Sequence, residues 1–406
     1  PPKAPQRGLR HFEPRVGRRP ACQAGSLPSK GLREKSKAPR ANFLGVACAR
    51  SVLPARSLGP MALQALSSLP KLSAVMNPLS LPVLRLMTDG CFHSGEAIAR
   101  ALGVSRGTVW NALRDMGALG IQVHRVPGRG YQLAEPIQWL DAARIERLLA
   151  EAHVPLTLEV LDCVASTNTE LLARVAQGAP HGLTLAAEVQ TAGRGRAGRP
   201  WYAVLGGSLA FSLLWRFEHG VGALRGLSPA VGLAIARALE AQGARGIQLK
   251  WPNDLVYRGR KLAGILIEVQ GDALGPTAAV IGIGLNVRVP ADLAVRAGQP
   301  VASLTSLPGF KPDRSRLLAD LLIALYRTLE RFAVEGFAPL RREWEARHAY
   351  HRLRVRVTMP DGRTEEGVVW GVGEGGELLL DTGRGRRRLA AGEVSLRPAV
   401  DGEADA

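Results

Sequence analysis

The chain has 406 residues, 46% of them apolar, which allows two or three domains with real cores. Lys and Arg number 53 against 35 Asp and Glu, a formal charge of +18. No apolar run approaches the roughly 20 residues that span a bilayer, and the four scattered cysteines (Cys22, Cys48, Cys91, Cys163) form no C-x-x-C pair, which argues against a membrane span, a disulfide frame and a cysteine zinc site and leads us to expect a reduced, cytoplasmic setting.

Residues 1–75 hold fourteen Lys and Arg against only Glu13 and Glu34, so +12 of the charge sits there and +6 is left for the other 331 residues. The body is therefore only mildly basic. Rich in Pro, Arg, Ala and Ser and lacking an apolar period, this first segment is expected to be disordered. The sequence does not begin with Met. We favour translation from Met61 or Met76 with the rest a gene-model extension; a basic targeting arm is the alternative.

Residues 78–135 read as a winged helix-turn-helix. Leu81, Val83, Leu84, Leu86 and Met87 predict a first helix. In "HSGEAIARALGVSRGTVWNALRDMG", Ser94 caps a helix with Ile98, Ala99 and Leu102 on one face, Gly103 turns, and Ser105 caps a second helix with Val109, Ala112 and Leu113 inward. "IQVHRVPGRGYQL" predicts two short strands around Pro127-Gly128-Arg129-Gly130, a wing. Ser105, Arg106, Thr108, Trp110, Asn111, Arg114 and Arg129 are the expected DNA contacts, to phosphates or base edges. The plain alternative is a three-helix packing unit with no ligand, and Gly107 weakens the recognition helix.

Residues 144–347 form a mixed α/β region. "LTLEVLDCV", "GLTLAAEVQ", "SLAFSLLW", "IQLKW", "DLVY", "KLAGILIEV" and "AAVIGIGLNV" are strands. Several of the connections are too short for βαβ crossovers, so the sheet should be mixed and largely antiparallel. "STNTELLARVAQG" is a helix with a capping box from Thr167 and Glu170. "LSPAVGLAIARALEAQG" is another, capped by Ser228, with Pro229 in its first turn and Gly243 at its exit. "RSRLLADLLIALYRTLERF" and "LRREWEARH" are helices. Over residues 350–397, the alternation in "RLRVRVTM" and the runs "EEGVVWGV", "GELLLD" and "RRRLAAGEVSL" predict a small β-barrel of SH3-like size. The fold class is α+β.

Residues 190–201, "QTAGRGRAGRPW", interleave three glycines with three arginines. Gly193, Gly195 and Gly198 match G-x-G-x-x-G, but a dinucleotide site needs a helix opening on the glycines. Here Pro200, Trp201 and Gly206-Gly207 lead into a strand, so that reading fails. What is left is a loop whose backbone can approach a ligand closely and whose Arg194, Arg196 and Arg199 can fork onto phosphate oxygens. A solvated basic turn is the bland alternative.

"EVQTAGRGRAGRPW", "KWPNDLVYRGRKLAGILIE" and "GIGLNV" resemble the signatures of biotin–protein ligases, and the "VPGRGY" wing resembles the bifunctional members that are also biotin operon repressors. The likeness runs from residue 78 to about 397. It implies a class II synthetase-like, biotin/lipoyl ligase fold. It also implies a two-step reaction, in which biotin and ATP give biotinyl-5′-adenylate and pyrophosphate, and a lysine of a biotin carboxyl carrier protein then takes the biotinyl group. Lys261, Arg194 and Arg196 are the implied catalytic residues. Ser166, Thr167, Asn168, Gln190, Gly195, Gly264 and Gly284 join them around biotin. Arg196, Arg199, Trp201, Asn253, Asp254 and Asn286 would serve the nucleotide, with Asp254 the expected Mg²⁺ partner. A homodimer that forms when adenylate is bound and recognises operator DNA is the implied regulatory form. A lipoyl-type ligase, or a ligase whose N-terminal unit is only a scaffold, are the alternatives. The stretch "YAVLGGSLAFSLLW" departs from the family pattern, so no contacts are transferred there.

Overall fold

The computed structural model describes residues 77–398, apart from 115, 118–119, 272–274, 291–292, 360–361 and 391–394. The basic extension expected over residues 1–75 lies outside the described residues.

Three short helices come first: α1 (Ser80–Leu86), α2 (Gly95–Leu102) and α3 (Arg106–Arg114). Ser94 Oγ accepts from Ala97 N at 3.0 Å and Ser105 Oγ from Thr108 N at 3.1 Å, so both expected caps are in place. Gly103 ends α2 in the left-handed conformation, φ 66°. The antiparallel pair β1 (Val123–Val126) and β2 (Gly130–Leu133) forms the wing. The core of this unit includes Leu84, Met87, Ile98, Val109, Ala112 and Met116. It continues into Ile137 of the following segment and into Val189 and Leu205 of the central region.

That central region is one seven-stranded sheet in the order β3-β4-β5-β9-β8-β7-β6. The strands are β3 (Thr157–Val164), β4 (Leu183–Gln190), β5 (Ser208–Phe217), β6 (Ile247–Lys250), β7 (Asp254–Tyr257), β8 (Arg260–Gly271) and β9 (Thr277–Asn286). Only β3 and β4 run parallel; every other pairing is antiparallel, as expected. Almost every residue of β4, β5 and β9 is buried, because helices cover both faces. On one face α4 (Ala142–Glu151), α6 (Leu227–Ala241) and α8 (Arg314–Glu335) pack over Phe211, Leu213, Trp215, Ile281 and Ile283. On the other, α5 (Thr167–Val175) covers Leu185, Leu214 and Val280 through Leu171. Short helices α7 (Leu293–Ala297) and α9 (Arg341–Glu345) complete the region.

A buried ion pair joins these layers. Arg314, the first residue of α8, is 1% exposed; its Nη1 lies 2.9 Å from Glu188 Oε2 on β4, and its Nη2 donates to Ser208 O at 2.8 Å. It also donates to Gln138 O, while Glu188 Oε1 accepts from Leu140 N at 2.6 Å. The linker after the wing is thereby fastened to the strand that ends at Gln190.

A five-stranded antiparallel sheet follows, ordered β13-β12-β11-β10-β14. It comprises β10 (Arg354–Thr358), β11 (Thr364–Val372), β12 (Leu378–Thr382), β13 (Gly385–Leu389) and β14 (Ser395–Pro398). This is the small SH3-like unit expected from its alternation. Among the described residues, no helix is long and apolar enough to cross a membrane.

Two expected caps are corrected. α5 is capped by Ser166, whose backbone is extended and whose Oγ accepts from Thr169 N, not by a Thr167–Glu170 box. The Thr167 hydroxyl is drawn to Gln190 and Ser212 instead, and Glu170 pairs with Arg174. α6 begins at Leu227 after Gly226 at φ 80°; Ser228 lies inside the helix and donates to Pro252 O at 3.0 Å.

Candidate functional site

Strand register builds the floor of a cavity on the α5 face of the sheet. Across β5, β9, β8 and β7, one row reads Ala210, Gly284, Gly264, Asp254, and the next reads Ser212, Gly282, Leu266. Side chains of one row share a face, so the glycines leave a trough where strands usually project bulk. A Cβ on Gly284 would sit 2.3 Å from the Trp201 ring, and one on Gly282 would sit 2.0 Å from Asn168 Oδ1. The register of β7 against β8 slips between Leu255 and Val256. This bulge lets Lys261, an odd-numbered neighbour of Gly264, reach the same face: its Nζ is 2.8 Å from Asp254 Oδ1.

One wall is the start of α5. Ser212 Oγ, fully buried, donates toward Thr167 Oγ1 at 2.7 Å and Asn168 Oδ1 at 2.6 Å. Gln190 Oε1 accepts from Thr167 N at 2.8 Å and from Thr167 Oγ1 at 3.1 Å, which turns its NH₂ toward Gly193. Asn168 Nδ2 donates to Leu266 O and to Glu268 Oε2. The side-chain polar atoms of Thr167, Asn168 and Ser212 in this wall all have partners, so the wall is rigid as well as polar.

The lid is the arginine–glycine loop, folded as a small hairpin. Gly195 N donates to Arg199 O at 2.7 Å and Trp201 N to Gly193 O at 2.8 Å. Arg194 Nη1 lies 2.8 Å from Glu268 Oε1, and Arg196 Nη1 donates to Asn253 Oδ1 at 3.0 Å. Asn253 is itself fixed by donating Nδ2 to Ile265 O at 2.7 Å. The Trp201 indole lies against the glycine trough with Lys261 Nζ 6.0 Å from its ring. The cavity beneath is consequently about 90 Å³, small beside the ~300–1,000 Å³ usual for ligand sites.

The cavity is lined by Ser166, Thr167, Asn168, Gln190, Arg194, Gly195, Arg196, Arg199, Trp201, Asn253, Asp254, Lys261, Gly264 and Gly284. Of the residues expected at biotin and nucleotide, Asn286 stands apart: it is buried, and its amide donates to Lys261 O at 3.4 Å, so it braces the lysine's backbone rather than facing the cavity. Two participants, Ser212 and Glu268, were not singled out from the sequence. Ser212 carried a signal, as a central hydroxyl in the otherwise apolar run "LAFSLLW"; Glu268 carried only its place as the acid of "GILIEVQ".

The N-terminal unit presents a second surface. Ser105, Arg106, Trp110, Asn111 and Arg114 are exposed on or beside α3, Trp110 at 45%. Thr108 is half-buried and shares a hydrogen bond with Ser105. Arg129, at the wing tip, stacks over Phe92 with its guanidinium 4.3 Å from the ring centroid.

Comparison with known proteins decides the family. The chain is 38% identical over 322 residues to the bifunctional ligase/repressor BirA of Salmonella typhimurium, an alignment that covers 79% of this chain and 98% of that protein. The chain belongs to the biotin–protein ligase family. A second relative in this family, BirA of Escherichia coli, is 36% identical over 323 residues, covering 80% and 98%. Three family models match: an HTH domain over residues 83–132, the biotin/lipoate A/B protein ligase family over 160–286, and the biotin protein ligase C terminal domain over 354–397. Among solved structures, the biotin protein ligase from Aquifex aeolicus in complex with biotin and ATP is 28% identical, with a TM-score of 0.52, covering 60% of this chain and 99% of that one. The biotin–protein ligase fold here thus carries a winged unit in front and a small sheet behind.

Proposed function

We propose that this chain activates biotin with ATP, transfers it to a lysine of a biotin carboxyl carrier protein, and represses biotin-synthesis genes through its winged unit. The observation that carries the enzymatic half is convergence. Lys261, Arg194 and Arg196 meet over a glycine-floored trough whose end wall is the hydrogen-bonding set Ser166, Thr167, Asn168 and Gln190.

Biotin is a neutral ureido ring with an apolar tail and a terminal carboxylate. The ring seats on the donors and acceptors at the start of α5, with Gln190 opposite. The tail runs over Gly264 and Gly284 beneath Trp201. The carboxylate then ends near Lys261. Attack on the α-phosphate brings two anions together, and fixed positive charge at Lys261 and Arg196 stabilises that encounter. Asn253, Asp254 and Arg199 line the nucleotide end, and Asn286 serves by holding Lys261. Asp254 would hold a Mg²⁺ together with the triphosphate, and the ion would supply neutralisation of phosphate charge. Asp254 is the one acidic side chain lining the cavity among the described residues, and a single carboxylate with substrate phosphates and waters suits this ion. The closed loop keeps water from the mixed anhydride until the carrier lysine displaces AMP.

In this reading the functional units are 78–135, 144–347 and 350–397, the protein works in the cytoplasm, and the adenylate-loaded chain binds its operator as a homodimer. Incubation with biotin, MgATP and a carrier domain should add one biotinyl group to one lysine, detected by mass spectrometry. Preferential transfer of lipoate in competition would assign the chain to the lipoyl ligases instead. Sedimentation that shows no dimer on adding biotin and ATP would remove the regulatory half.

A further inference from the structure

The three loop arginines are not held alike. Arg196 rests on a neutral amide oxygen, Asn253 Oδ1, at 3.0 Å, and Arg199 Nε reaches a carbonyl, Arg196 O, at 3.4 Å. Arg194 pairs with a carboxylate: Nη1 donates to Glu268 Oε1 at 2.8 Å, with Nε to Thr169 Oγ1 at 3.2 Å. A charge-assisted hydrogen bond of this kind is about twice as strong as a neutral one. The pair is also partly shielded, its side chains 33% and 26% exposed, so salt screens it less than a surface pair.

Glu268 lies outside the cavity lining. It stands on β8 opposite Val280, on the same face as Gly264 and Leu266. Its second oxygen accepts from Asn168 Nδ2 at 2.9 Å, and Asn168 Oδ1 accepts from Ser212. One carboxylate therefore ties the loop hairpin to the hydrogen-bonded wall of the site.

We propose that Glu268 is a positioning residue, a latch that holds residues 193–201 shut through Arg194 and so sets how long the activated intermediate stays in the site. The proposal rests on the ligase reading above. Escape of a bound intermediate waits on loop opening, and opening requires the Arg194–Glu268 bond to break. Chemistry at the phosphate does not, because Lys261 and Arg196 have other partners. Adenylate that escapes is hydrolysed: water adds to the acyl carbon, the acyl–oxygen bond to phosphate breaks, and biotin and AMP result.

The test follows pyrophosphate release by the full chain with biotin and MgATP and no acceptor. The wild-type chain should show a burst of one equivalent, then a slow phase limited by adenylate escape. Glu268→Gln keeps the side-chain size and one acceptor for Asn168 but loses the charge. Its burst should stay within about two-fold of wild type while its slow phase quickens about five-fold or more. Added salt should quicken the wild-type slow phase and leave that of the variant unchanged. A variant slow phase less than about two-fold faster overturns the latch, and so does a folded variant with no burst, since Glu268 would then belong to the chemical step. If Glu268→Gln does not fold, Glu268→Asp, which withdraws the carboxylate by one methylene, takes its place: a faster slow phase supports the latch and a wild-type one overturns it. No biotin-dependent burst from the wild-type chain would overturn the ligase reading itself.

Discussion

At Gly284 the geometry of the site comes down to one missing methyl group. The Trp201 indole lies where a Cβ would be, and biotin is to slide between that ring and the trough. Gly284→Ala should therefore weaken biotin binding by about tenfold or more, roughly 1.4 kcal/mol, in calorimetric titration. The thermal midpoint should stay close to wild type, since the methyl group meets a loop residue and not the core. Residues of this sort were legible in the sequence where they stand in short, contiguous motifs: the loop arginines, Lys261 and Ser166 to Asn168. Ser212 and Glu268 were not, because their roles come from register. Ser212 faces Gly282 across β5 and β9, and Glu268 meets Arg194 across 74 residues of chain. Nothing local in either strand marks that pairing. The same applies to the caps expected at Thr167 and Ser228, whose hydroxyls are taken up by tertiary partners at Gln190, Ser212 and Pro252 instead.

Elements couple these residues to the rest of the chain. α3 and the wing differ in what they offer to DNA. Trp110, exposed beside Arg114, presents an apolar face of the kind expected to meet a thymine methyl group, while Arg129, stacked on Phe92, is expected to offer its charge to a phosphate. On a site selected from a randomised duplex library, Trp110→Ala should lose discrimination against unselected DNA with its salt slope unchanged. Arg129→Ala should weaken both DNAs alike and lower the slope of log K against log salt by about 1. Equal effects of the two variants would contradict this division. The α8–β4 junction carries a different consequence. Arg314→Met leaves the buried Glu188 carboxylate without its cation, and should cost about 3–5 kcal/mol in chemical denaturation. Pairing it with Glu188→Gln should recover part of that loss. The helix pattern of α8 was plain in the sequence; that its first arginine would be buried against β4 and the linker was not, because an Arg beside an N-cap reads as solvent-facing.

The whole molecule should respond to acid through His348. This ring is 5% exposed, packs 4.8 Å from the Trp344 ring, and has no hydrogen-bond partner for either nitrogen among the described residues. Burial, with His351 adding a smaller repulsion, pushes its pKa down from 6.5 to about 3. Because the native pKa is below the unfolded one, the unfolded chain binds a proton between these values that the native chain does not. Stability is therefore complete above pH 6.5 and falls as the pH drops toward 3, by about 2 kcal/mol at pH 5. His348→Phe should flatten that part of the stability curve; an unchanged curve would mean another group is responsible. At this scale the division into winged unit, mixed sheet and small β unit was readable from changes in period along the chain. The way the winged unit's core runs on into Val189 and Leu205 was not, since those residues belong to the sheet's own strand and to a loop.

All of this depends on the loop and Lys261 acting together on an anionic intermediate. The most direct measurement is single-turnover formation of biotinyl-5′-adenylate from labelled biotin and MgATP, comparing the wild-type chain with Lys261→Ala. The wild type should form it stoichiometrically. The variant should be slower by about 10²–10³-fold, as for loss of one group that meets developing charge, with biotin affinity changed less than about tenfold. Adenylate formation by Lys261→Ala at the wild-type rate would contradict the account.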